Sequence, residues 1–178
     1  MTVPYTSYEA IVIQCVITML SKSTTFWAVT GAANQAAALN FIIEGDGGDD
    51  VECNGSDHSI ATNNATINRA TASAWAHVAD RPTDHPSEPL TFSTWRRQGV
   101  IAVRLWLRRV GTDTPPERLR RVLNAVGSIR ADLEAQFGAA GCLPAGGIDS
   151  RVDSLPDESS ATRGLACATL TIHWKDIV

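Results

Sequence analysis

The sequence predicts an α+β fold: a single two-layer domain in which a mixed, mostly antiparallel β-sheet of about four strands packs against two main helices, with long loops between them. Three observations carry this. A helical apolar stripe opens the chain between Tyr8 and Leu20, strict alternation of apolar residues marks 101–107 and 166–174, and a doubly signalled helix start stands at Thr114-Pro115-Pro116-Glu117. With 178 residues, 44% of them apolar, the chain supports one hydrophobic core and is small for two, so 1–178 is read as one domain.

Thr6 and Glu9 stand in capping-box spacing ahead of Tyr8, Ile11, Val12, Cys15, Val16, Met19 and Leu20, which together predict an amphipathic helix with one buried stripe. The polar SKSTT ends it, and Phe26, Trp27 and Val29 before Gly31 predict a short helical turn on the core. Phe41-Ile42-Ile43, bounded by Gly45, reads as a strand. From 45 to 71 the chain is rich in Gly, Asn, Asp and Thr and poor in large apolar residues, which predicts a long loop or projecting arm. ASAWAHVAD reads as a strand, and RPTDHPSEP, with its three prolines, as irregular.

A long strand region opens at Leu90. Ile101, Val103, Leu105 and Leu107 form its core face, whereas Arg104, Trp106 and Arg108 predict a largely exposed opposite face. Thr114 as cap, Pro115 at the first helical position and Glu117 three residues on require a helix to start there. Its expected buried stripe is Leu119, Val122, Leu123, Val126, Ile129, Leu133 and Phe137, with Arg118, Arg121 and Arg130 off it. A short strand is expected at 148–152. LACATLTIHW closes the chain as a strand that buries Ala166, Ala168, Leu170, Ile172 and Trp174.

The chemistry-bearing residues form no recognised constellation. Cys15, Cys53, Cys142 and Cys167 make no CxxC pair, and His58, His77, His85 and His173 fall in different elements without metal-ligand spacing. HExxH, GxSxG, P-loop and GxGxxG sequences are missing, so no motif-based enzyme class applies, and neither catalytic residues, a cofactor site nor a metal site is expected. GDGGDD invites a calcium-loop reading but lacks the EF-hand ligand order and its terminal glutamate. Cys167, opposite Trp174 in the alternation, is expected to be accessible but has no identifiable activating base, and His173 is expected to point outward with nothing nearby in sequence to orient it. No apolar run reaches the ~18 residues of a membrane span, and the first twenty residues lack the pattern of a signal peptide, so a soluble, unexported protein with no membrane partner is expected.

Charge is segregated although the net value is only −4. No Lys or Arg occurs from Ser23 to Asn68, where Glu44, Asp46, Asp49, Asp50, Glu52 and Asp57 cluster, while eight of the thirteen arginines lie between Arg96 and Arg121. Two solvated faces explain this, and so do head-to-tail contacts between copies of one subunit.

The order of elements, with YEAIVIQCVITML as helix, FIIEG as strand, GVIAVRLWLRR as long strand, PPERLRRVLNAVGSIRADLE as capped helix and GLACATLTIHWKDI as closing strand, resembles the tail terminator or tail completion proteins of long-tailed phages. The resemblance spans most of the chain and is one of topology and texture, without a diagnostic motif. It implies a structural virion protein, made in the host cytoplasm and located at the tail neck, that forms a homo-oligomeric, hexameric ring. Such a ring caps the tail tube on one face and meets a head-completion or neck protein on the other, and DNA passes through it without sequence-specific binding. It implies no enzymatic activity. In such a ring Arg104, Arg108, Arg109, Arg118 and Arg121 are candidate intersubunit contacts for Asp46, Asp49, Asp50 and Glu52 of a neighbour, and the 45–71 arm is long for the pattern. The alternatives are a stopper or tube component of the same assembly and, from a different class, a ligand-binding protein or enzyme whose residues assemble only in three dimensions.

Overall fold

The structure, a computed structural model, describes residues 8–45, 59–61, 66–68, 71–80, 88–89, 95–108, 114–137, 145–154 and 165–177. It is an α+β domain built on one mixed sheet. The first helix, α1, runs Tyr8–Lys22 and buries Val12, Val16, Ile17, Met19 and Leu20. Ser23 separates it from α2, Thr24–Thr30, by accepting a hydrogen bond from the Phe26 backbone N–H at 3.1 Å, and Gly31 closes α2 in the left-handed conformation at φ 79. A single turn, α3 (Gln35–Ala38), and a 3-10 turn at Leu39–Phe41 lead into β1, Ile42–Glu44.

Strands β4 (Ala74–Asp80), β6 (Trp95–Arg108), β7 (Ala145–Ser154) and β8 (Leu165–Ile177) complete the main sheet in the order β1-β4-β6-β8-β7, with the two-residue β5 (Glu88–Pro89) also on β6. Among the described residues only β1 and β4 pair in parallel; the other pairs are antiparallel. A separate small hairpin pairs β2 (Ser59–Ala61) with β3 (Thr66–Asn68). The fourth helix, α4, runs Pro115–Glu134.

One row of paired residues, Ile42, Ala76, Leu105, Ala168 and Val152, crosses the whole sheet on its helix-facing side. Around it Ile101, Val103, Leu107, Leu170, Ile172 and Trp174 are buried against Val12, Val16 and Leu20 of α1 and Val122, Val126, Ile129 and Leu133 of α4. The alternations in β6 and β8 therefore face the core as their spacing predicts. Asp132 of α4 ties the two helical segments together: its carboxylate accepts from Ser23 Oγ at 2.6 Å and from the Thr25 backbone N–H at 3.2 Å. At the other end of α4, Thr114 gives both its N–H (2.9 Å) and its hydroxyl (2.7 Å) to Glu117, and these bonds hold the Glu117 carboxyl below the ordinary carboxylate range.

Several expectations change. The buried stripe of α4 is Arg118, Val122, Ala125, Ile129 and Leu133, with Val126 beside it; Leu119 and Leu123 lie one residue, about 100° of helix, away and are exposed. Val122, Val126, Ile129 and Leu133 are buried and Phe137 packs against the core as the spacing predicts, whereas Leu119 and Leu123 give way to Arg118 and Ala125 on the side that meets the sheet. Ile11 flanks the α1 stripe and is exposed for the same reason. The strand at 148–152 extends to Ala145–Ser154, with bulges near Gly147 (φ 125) and between Val152 and Ser154. Within the proline-rich stretch, Glu88 and Pro89 pair with Arg96 and Trp95, a position where a sheet edge tolerates proline. The 45–71 excursion contains the β2–β3 hairpin instead of loop alone.

Candidate interaction surfaces

The sheet face turned away from the helices carries most of the polar chemistry. Its central row is Ile43, His77, Arg104, Thr169 and Arg151, one residue from each of the five main strands. This face is less open than the alternation in β6 suggests: Trp75, His77, Cys167 and Thr169 are buried, and Arg104, Trp106 and Arg108 are half-buried. Part of the reason is a second apolar cluster. Trp75 stacks on its cross-strand neighbour Trp106, with ring centroids 6.1 Å apart and planes at 17°, and Ile43, Phe41, Ala72 and Leu165 pack around the pair.

On the β7 side, Asp153 accepts from Thr169 Oγ1 and from Cys167 Sγ (3.9 Å) and pairs with Arg151 at 2.5 Å. Burial and the adjacent Asp153 carboxylate push the Cys167 thiol up to about 12. Cys167 is therefore a buried, protonated thiol and not the accessible one its place in the alternation suggests; thiolate chemistry at neutral pH is unavailable to it. His173 does point outward, and a residue distant in sequence orients it: Asp149 Oδ2 lies 3.0 Å from its Nε2 across the β7–β8 pair. Among the described residues no group of three His, Cys, Asp or Glu side chains is placed to hold a metal ion.

The arginines expected to meet a neighbouring subunit have different surroundings. Arg118 is 3% exposed on the sheet-facing side of α4, which corrects its assignment as a surface contact. Arg108 Nε donates to the Ala72 carbonyl at 2.9 Å, and an Arg121 guanidinium nitrogen donates to the Arg108 carbonyl at 3.3 Å, so these two brace the end of β6 against the start of β4 and against α4. Arg104 sits half-buried between His77 and Thr169 in the central row, and Arg120 is exposed. Arg109, Asp46, Asp49, Asp50 and Glu52, and the glycine-rich segment considered for calcium, lie outside the described residues. Of the acidic cluster, Glu44 is described: it is exposed and accepts from Gln14 Nε2 at 2.8 Å.

Among the described residues no single helix is long and apolar enough to cross a membrane. Only α1 and α2 together reach that length, bent by 73° at Ser23, and Val12, Val16, Ile17, Met19, Leu20 and Phe26 of the pair lie in the core. No protein-family model matches the chain, and no curated protein matches it.

Proposed function

We propose that the chain is a ring-forming structural subunit of the tail neck of a long-tailed phage, a tail terminator or tail completion protein that caps the tail tube and connects it to the head-neck complex. The observation that carries this reading is the arrangement of elements. An opening helix and a capped helix pack side by side on one face of a single mixed sheet dominated by two long antiparallel strands, the order of elements on which the resemblance rests. In this reading the subunit is a hexameric, non-enzymatic virion component with the tube on one side and a neck protein on the other. Arg104 and Arg109 supply contacts for acidic side chains of a neighbour, whereas Arg108, Arg118 and Arg121 serve the fold.

The duplex passes through the ring unread. A DNA titration tests this: the reading expects weak affinity from a chain of net charge −4. Tight duplex binding with a steep salt dependence, with a slope of about −0.9 for each phosphate neutralised, contradicts it. Electron microscopy of the purified protein is expected to show rings with a central opening; particles without an opening count against the proposal.

A further inference from the structure

Three large apolar side chains stand in the open among the described residues, and two of them, Leu119 (37% exposed) and Leu123 (50%), lie one turn apart on α4. Arg120, Asn124, Gly127, Ala131 and Glu134 share the outward side of this helix. Gly127 is helical, and a Cβ added there meets nothing within 4 Å, so nothing among the described residues requires a glycine there. Yet a mid-helix glycine destabilises a helix relative to alanine. A reason for it outside the chain is a second helix crossing close to the backbone at that point.

We propose that α4 docks on α4 of a second copy of this chain, antiparallel, about a twofold axis at Gly127. In that register Leu123 meets Ala131 of the other copy, Arg120 meets Glu134 and Asn124 meets Arg130, each pairing occurring twice, as an isologous contact requires. Leu123 is set against a small side chain and each charge against its opposite or a neutral amide. A parallel register instead stacks Leu123 on Leu123 and Arg120 on Arg120. Glu134 uses Oε1 for its own Arg130 at 2.8 Å, which leaves Oε2 for Arg120 of the second copy. Oppositely directed helix dipoles favour the same arrangement.

One helix against one helix falls below the area of a standard interface, so the association is weak, with Kd on the order of 10 μM or above. A twofold contact does not by itself close a sixfold ring, so this inference does not rest on the ring reading, and either stands if the other fails.

Site-directed cross-linking of the full chain tests it. Gly127→Cys lies on the axis and is expected to give a cross-linked dimer with a short bis-maleimide, above the level of the wild type with its native cysteines. Leu119→Cys, about 24 Å from its own symmetry mate, is expected to give none above that level. In sedimentation equilibrium Arg120→Glu and Glu134→Arg each abolish the dimer and together restore it, with circular dichroism confirming that each variant is folded. A wild-type monomer at several hundred micromolar, equal cross-linking at 119 and 127, or no rescue by the charge exchange overturns the proposal and assigns the ridge to a different partner.

Discussion

Asp132 shows how a single partly buried carboxylate fastens two helical segments. Burial acts to raise its pKa, but hydrogen bonds from Ser23 and Thr25 outweigh that and hold it below the ordinary value. A depressed folded-state pKa means that this stabilisation is complete above the unfolded carboxyl value of about 4 and is lost as pH falls through the lower folded value. Asp132→Ala is expected to cost about 1–2 kcal/mol at pH 7, the usual scale for a lost helix cap, and the gap between variant and wild type should close as pH falls through the lowered folded carboxyl value. Urea unfolding at a series of pH values checks both; a gap that widens in acid reverses the sign argued here. Cys167 gives a second test at this scale. With its thiol protonated and buried, it should resist iodoacetamide at pH 8 in the folded protein and react only after denaturation. Peptide mapping showing rapid native alkylation at Cys167 contradicts that placement.

At the scale of elements, period-2 patterns were legible because the inward positions over 101–107 of β6 and 166–174 of β8 are aliphatic or aromatic and the register repeats across the sheet. The start of α4 was legible because capping and proline signals are local. The face of α4 was not, because Arg118 and Ala125 hold positions that only the packed sheet selects, while Leu119 and Leu123 are apolar residues facing outward. The partly covered outer face of the sheet escaped the sequence reading too: Trp106 alternates with aliphatic residues as an outward residue should, and only the cross-strand register reveals Trp75 beside it. Asp153 and Asp149 could not be linked to Thr169 and His173 without the β7–β8 pairing. A contrast of substitutions checks the assignment of faces. Leu105→Ala, at a site 2% exposed, is expected to cost ~2–5 kcal/mol, and Leu123→Ala to stay within about 0.5 kcal/mol in dilute monomer. Comparable urea midpoint shifts for the two would place α4 in the wrong rotation.

For the whole molecule, the long antiparallel pair β6–β8 and the two helices behind it form a frame whose edges are unequal. β1, at one edge, is three residues long, whereas β7, at the other, runs ten residues but carries two bulges and the charges of Asp149, Arg151 and Asp153. Short, bulged or charged edges discourage uncontrolled strand addition, so the assembly proposed here is one of side-chain contacts between folded subunits. The measurement that bears most directly on it is the mass in solution, by light scattering over a range of concentrations. Leu123→Glu is the form to use, so that pairing through α4 does not add to the count. A ring predicts a stable species of six 19.1 kDa chains, about 115 kDa. A mass of one chain at every concentration contradicts the ring.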